Sequence, residues 1–255
     1  MAYLNVDFFS DVLGMCTQMN VLLPERPTRK KLPVLFLLHG MSDDHTAWCR
    51  FTSIERYARE REICVVMPTT HLGWYTDMAL GYPYFTFLSK ELPEILGSFF
   101  PVMDLRRETM FTAGLSMGGY GAFKLAISAP ETFSAAVSLS GAIDATRVVK
   151  EIPVDEDKTY WSDIFGPLDE MKGGKDDILA EAERLAATGK PKPRLYAWCG
   201  TEDFLYGNNV DSWKRLRALG YDLTTKETRG DHQWKYWDRE IVPALDWLLD
   251  ERGED

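Results

Sequence analysis

A chain of 255 residues, 45% apolar and 27% charged, has the balance of an ordinary soluble globular protein and the length to bury one α/β core. Its formal net charge of −10 argues against nucleic acid or an anionic membrane as partner; no apolar run reaches the ~20 residues that span a bilayer, and Met1 to Gly14 has neither the basic start nor the apolar centre of a leader peptide. The four cysteines (Cys16, Cys49, Cys64, Cys199) are scattered without C-x-x-C or metal-ligand spacing, which points to free thiols in a reducing, cytoplasmic setting.

In chain order, Leu4, Val6 and Phe8 alternate with Asn5 and Asp7, and Met19, Val21 and Leu23 with Gln18, Asn20 and Leu22. This period of two predicts a hairpin turning near Leu13-Gly14 and lying at an antiparallel sheet edge. Val34 to Leu38 and Ile63 to Met67 are unbroken apolar runs suited to strands buried on both faces. A helix is expected over 45–60 between them. An aromatic loop (His71, Trp74, Tyr75, Tyr82, Tyr84) follows, then helical spacing over Phe85 to Phe99 that stops at Pro101. Met110 to Leu115 reads as a strand and Met117 to Ser128 as a helix, and Phe133 to Leu139 as another strand. From Asp144 to Lys192 the chain is polar, with one helix expected over 176–187; residues 144–192 read as a lid-like insertion over the sheet's edge. Arg194 to Gly200 and Tyr221 to Thr228 are further strands, with a helix over 210–219 between them, and a closing helix carries Trp237, Ile241, Leu245 and Leu248 on one face before an acidic tail. Buried strands alternating with helices predict one α/β domain over 1–255, a mostly parallel sheet with an antiparallel N-terminal edge and helices on both faces.

Within this pattern Gly114-Leu115-Ser116-Met117-Gly118 fits G-x-S-x-G, a strand-to-helix corner that thrusts a serine hydroxyl out of the sheet. A hydroxyl needs a base to become a nucleophile at neutral pH. His232 is the only histidine after Ser116, and it sits between the last strand and the last helix. The group that orients the imidazole is best placed at Asp203, just past a strand end; Glu202 and Asp231 are the rivals, and Asp231 is too close in sequence to face the Nδ1 edge easily. The oxyanion donors expected for such a corner are the backbone N–H groups of Met117 and of Met41, the latter in the loop after Leu38. His39 reads as a structural residue of that loop. These positions all fall beyond the carboxyl ends of expected strands, where open α/β sheets bind their ligands. Trp74, Tyr75, Tyr82, Tyr160, Trp161 and Phe204 are candidates to line an acyl or sugar pocket. Asp43-Asp44-His45 lacks a third ligand at useful spacing, so no metal is expected, and the chemistry needs no cofactor.

With these residues assembled, the sequence resembles the tributyrin esterase (acetylesterase) family of the esterase D-like α/β-hydrolases, alongside S-formylglutathione hydrolases, feruloyl and acetyl xylan esterases and mycolyltransferases. The likeness runs from Phe36-Leu37-Leu38-His39-Gly40-Met41-Ser42 through Thr112-Ala113-Gly114-Leu115-Ser116-Met117-Gly118-Gly119-Tyr120-Gly121-Ala122 to His232, Trp234 and Trp237. It implies the α/β-hydrolase fold, the set Ser116, Asp203 and His232 with donors at Met41 and Met117, and hydrolysis of short acetyl or butyryl esters, often on decorated plant oligosaccharides. The partner is then a small-molecule ester, with the oligomeric state, homo-oligomer included, left open. One departure stands out: S-formylglutathione hydrolases usually carry Gly-Leu-Thr-Cys where this chain has Gly40-Met41-Ser42-Asp43. Feruloyl esterase and glutathione thioesterase remain the enzymatic alternatives, and a catalytically dead binding protein the non-enzymatic one.

Overall fold

The computed structural model describes residues 1–152 and 159–250; the acidic tail, and residues 153–158 of the expected insertion, lie outside the described residues. Strands β1 (Ala2–Ser10) and β2 (Met15–Leu23) form the expected hairpin, paired from Ala2 with Leu23 to Ser10 with Met15. Its turn closes at Gly14, whose φ of +66° is a conformation that favours glycine and whose N–H donates to Ser10 O at 2.9 Å. The central strands are β3 (Val34–Leu38), β4 (Cys64–Pro68), β5 (Met110–Leu115), β6 (Ala135–Leu139), β7 (Arg194–Gly200) and β8 (Leu223–Thr228). All eight make one sheet in the order β1-β2-β4-β3-β5-β6-β7-β8, parallel from β4 onward, with β2 antiparallel to β4.

Residues 45–60 form two short helices, α1 (Ala47–Phe51) and α2 (Ile54–Glu60), where one was expected. The break is local competition for backbone groups. Thr52 is extended (φ −137°, ψ 171°), its hydroxyl donates to Trp48 O and accepts from the Ile54 N–H, and the Ser53 N–H is drawn away to Asp238 at 3.0 Å. Next come α3 (Tyr84–Thr86), a single π-helical turn over Phe87–Glu91, and α4 (Leu92–Phe99). Pro93 accounts for the wide turn, because it has no N–H to return to Ser89 and its ring crowds that carbonyl. The remaining helices are α5 (Met117–Ser128), α6 (Ala145–Glu151), α7 (Thr159–Phe165), α8 (Ile178–Thr188), α9 (Tyr206–Ala218) and α10 (Trp234–Leu249).

The sheet separates two apolar layers. Val34, Phe36 and Leu38 of β3 face the layer under α3 to α9, while Leu35 and Leu37 face the layer under α1, α2 and α10. Among the described residues no helix is long and apolar enough to cross a membrane. The stretch 144–192, in which one helix was expected, contributes α6, α7 and α8, and the buried residues of α8 (Ile178, Leu179, Ala182, Leu185) join the same layer as α5. Here α8 is the crossover helix that the parallel β6–β7 pair requires. It starts on Asp177, whose carboxylate accepts the N–H groups of Leu179 and Ala180, both at 3.1 Å.

The residue before that cap, Asp176, pairs with Lys124 on α5, and both side chains are 4% exposed. Burial pulls the Lys124 ammonium down and Asp176 opposes it. The ammonium also donates to the Lys175 carbonyl at 3.1 Å, and Asp176 accepts the Thr76 hydroxyl. Removing one partner of such a pair leaves the other charge buried alone, which costs about 3–5 kcal/mol, whereas an apolar replacement of both is far milder. Urea unfolding should therefore show Lys124→Ala less stable by roughly 3–5 kcal/mol, and Lys124→Met/Asp176→Leu recovering half or more of that loss.

Candidate active site

Four loops leave the carboxyl ends of β3, β5, β7 and β8, and between them they carry His39 to Asp43, Ser116, Asp203 and His232. Ser116 is the corner between β5 and α5, held at φ 52°, ψ −119°, a strained backbone for a residue with a side chain. The corner is tight because backbone passes against backbone. A Cβ on Gly114 would lie 2.2 Å from Gly118 O, and one on Gly118 would lie 2.4 Å from Leu38 O. The flanking glycines are thus a requirement of close approach. Ser116 stays in sheet register, its N–H donating to Leu139 O at 3.0 Å and its carbonyl accepting from Ala142 at 3.2 Å. α5 begins immediately after it, so the Met117 N–H belongs to a helix's first, unpartnered turn.

On the next loops Asp203 and His232 meet at 2.9 Å, Oδ2 to Nδ1. The Asp203 side chain is fully buried and that of His232 is 21% exposed. Asp203 divides its carboxylate: Oδ1 accepts the Leu205 N–H at 2.9 Å and Oδ2 the imidazole. With Nδ1–H donating to a carboxylate, Nε2 keeps its lone pair, which is the form a general base needs. The ring packs against Phe204 (4.6 Å between centroids) and Trp237 (4.9 Å, edge-on), and the Trp237 indole N–H is fixed on Ser140 Oγ at 3.2 Å. Of the rivals to Asp203, Glu202 pairs outward with Arg229, and Asp231 accepts from Gln233.

Ser116, His232 and Met41 share one cavity of about 380 Å³, whose apolar wall includes Trp74, Leu115, Val148, Ile152, Trp161 and Trp237. Among the described residues no hydrogen bond joins the Ser116 hydroxyl to the His232 ring, as is common before substrate tightens such a site. A wider surface cleft of about 520 Å³ between Tyr3 and Arg59 holds none of these groups. Of the six aromatics expected to line a pocket, Trp74, Trp161 and Phe204 do so. Tyr75, Tyr82 and Tyr160 do not. Trp74 and Tyr75 both have positive φ, and the turn sends the Tyr75 ring into the core, where its hydroxyl donates to His39 O at 2.8 Å. Tyr160 stands behind Trp74, accepting its indole N–H at 3.1 Å. Tyr82 is exposed and stacks edge-on against Tyr84. The sequence reading missed Val148, Ile152, Trp234 and Asp43 as cavity residues.

The β3 loop is a tight turn. Asp43 N–H returns to Gly40 O at 3.3 Å across Met41 and Ser42, the latter at φ 71°. The turn leaves the Met41 N–H, like that of Met117, without a backbone acceptor among the described residues. His39 anchors the turn from below. It is fully buried, its Nδ1–H donates to Gly40 O at 2.8 Å and its Nε2 accepts the Thr70 N–H at 3.1 Å. Both nitrogens are used as a neutral ring uses them, and burial holds the imidazole down at about 4. Asp43 is half-buried, and that burial, with the charge of Asp44, raises its carboxyl, while the Gly40 backbone N–H and the charge of Arg50 oppose.

A serine on a strained strand-to-helix corner, at the carboxyl edge of a mostly parallel sheet covered on both faces, defines an α/β-hydrolase fold. The putative esterase family matches residues 10–248, and the chain belongs to it. It is 30% identical over 263 residues to an acetyl esterase of Caldicellulosiruptor saccharolyticus, an alignment covering 97% of this chain and 98% of that one. A substrate-bound, fluorophosphonate-binding serine hydrolase of Staphylococcus aureus superposes with a TM-score of 0.90 at 33% identity, covering 98% of each chain. An S-formylglutathione hydrolase of Staphylococcus aureus gives 0.87 at 34% identity, over 98% of this chain and 99% of that one. The protein is a carboxylic ester hydrolase.

His39 makes the turn after β3 sensitive to acid. Below pH 6.5 the unfolded chain binds a proton at this position that the folded chain refuses until about pH 4, so stability falls with pH across that window and levels off below it. The loss should reach about 3 kcal/mol. Urea titrations from pH 7 to 4 should show it in the wild type, and His39→Gln, which cannot take the proton, should lack that part of the slope.

Proposed function

We propose that Ser116 is the nucleophile of this esterase, with His232 as its base and Asp203 as the group that holds the base. Ser116 Oγ attacks the ester carbonyl while His232 Nε2 takes the hydroxyl proton. The imidazolium then gives that proton to the departing alcohol, and water cleaves the acyl-enzyme by the same steps. The N–H groups of Met41 and Met117 receive the charge that develops on the carbonyl oxygen. The observation that carries the reading is the His232–Asp203 pair, its ring packed against Phe204 and Trp237, lining the same apolar cavity as a strained serine.

The substrates we infer are short acyl esters, acetyl and butyryl, with acetylated xylo-oligosaccharides as the natural class. Two observations support this: a cavity near the small end of ligand sites, and the acetyl esterase among the relatives. The setting is cytoplasmic and the fold a single domain over 1–255, with no cofactor in the reaction. A glutathione thioesterase is the second reading, favoured by the likeness to the S-formylglutathione hydrolase and opposed by Asp43 in the oxyanion turn.

Ser116→Ala should lower kcat/KM for p-nitrophenyl acetate by roughly ten-thousandfold or more and abolish labelling by a fluorophosphonate probe; retained turnover would falsify the mechanism. Across p-nitrophenyl acetate, butyrate and octanoate, kcat/KM should fall steeply beyond butyrate, and an acetylated xylo-oligosaccharide should release acetate. Preference for octanoate or methyl ferulate would remove the short-acyl assignment, and faster turnover of S-formylglutathione than of any oxygen ester would favour the second reading.

A further inference from the structure

Two ionisable side chains line the cavity around Ser116 among the described residues: His232, already engaged by Asp203, and Asp43. Asp43 flanks Gly40 on the same cavity wall as the serine. A Cβ placed on Gly40 would lie 3.1 Å from Asp43 Oδ2 and 3.9 Å from Ser116 Cβ. A half-buried carboxylate that serves the fold is normally tied to a basic side chain or to several donors. Among the described residues Asp43 has no ion-pair partner: the Gly40 N–H and the Arg50 charge favour its carboxylate, and the neighbouring Asp44 charge opposes it. It therefore keeps acceptor capacity unused on the wall of an otherwise apolar site. A short acyl group has no polar atoms beyond its carbonyl, so what meets Asp43 is the alcohol half of the ester.

We propose that Asp43 is a specificity-determining residue, accepting a hydroxyl from a neutral, polyhydroxylated leaving group and repelling leaving groups that carry negative charge. The assignment rests on Ser116 being the nucleophile. It makes a sugar or polyol ester the favoured partner and a glutathione thioester, whose leaving group is net anionic, a disfavoured one. The bond-making steps are unchanged; the carboxylate acts on which alcohol can sit beside the corner.

A charge series isolates the effect: 3-acetoxybenzamide (neutral), 3-acetoxybenzoate (anionic) and 3-acetoxyphenyltrimethylammonium (cationic), each followed by acetate release. In the wild type kcat/KM should fall by about tenfold from the neutral to the anionic ester, a like-charge effect at short range in a partly desolvated wall, and should not fall for the cation. In Asp43→Asn the neutral-to-anion ratio should shrink to about threefold or less, and in Asp43→Glu it should return. The ratio is internal to each variant, so a change in absolute rate does not blur it. Should Asp43→Asn fold poorly, raising the salt from about 0.02 to 0.5 M should compress the wild-type ratio by screening. An equal ratio in wild type and Asp43→Asn with Ser116→Ala inactive, or a wild type that does not discriminate, overturns the role of Asp43 alone. A Ser116→Ala variant that keeps the wild-type rate overturns the Ser116 reading and this inference with it.

Discussion

Everything in this site depends on how closely three pieces of backbone approach at the β5–α5 corner. Gly118 passes so near the carbonyl at the end of β3 that a methyl group would not fit, and Gly114 lies under Gly118 in the same way. That contact pins the first turn of α5 onto the sheet and sets the distance from Ser116 to the β3 loop. The same β3 carbonyl, Leu38 O, receives the Trp48 indole N–H at 3.0 Å, so α1 is secured to the identical point. A corner built this way cannot relax its strained serine without lifting a helix off the sheet.

The turn from Gly40 to Asp43 is supported just as firmly, but by polar groups. His39 uses both ring nitrogens on backbone, and the Tyr75 hydroxyl holds the His39 carbonyl. These bonds lie in a fully buried pocket, where satisfied polar networks are rigid and broken ones costly. The N–H of Met41 is left without a backbone acceptor among the described residues. Preorganised donors of this kind need no rearrangement when charge develops on a bound oxygen.

How much of this was legible in the sequence follows from the range of each signal. Unbroken apolar runs such as Val34 to Leu38 and alternation at Leu4, Val6 and Phe8 report burial on two faces or one; the first formed with those bounds and the second extends two residues further at each end. The strand-end positions of Ser116, Asp203 and His232 follow from that topology. The helices α6 and α7 were missed because seven residues make barely two turns, too few for periodicity to emerge from a polar stretch. The split between Trp74 and Tyr75 was illegible for another reason: adjacent residues with positive φ diverge by backbone geometry that composition does not encode. The break at Thr52-Ser53 depends on Asp238, which is distant in the chain. Asp43 was visible in the sequence as a departure from a related pattern, but only the fold puts it on the same cavity wall as the serine.

The mounting of His232 has a consequence for how such an enzyme adapts. One wall of its clamp, Trp237, is buried and bonded into the core, while the other, Phe204, is 65% exposed. The freedom of the imidazole is therefore set on one side by a residue whose replacement disturbs almost none of the packed interior. Changing that one surface ring would stiffen or loosen the proposed base while leaving the strained corner and the β3 turn untouched, so the setting of the imidazole is uncoupled from the packing that holds the fold.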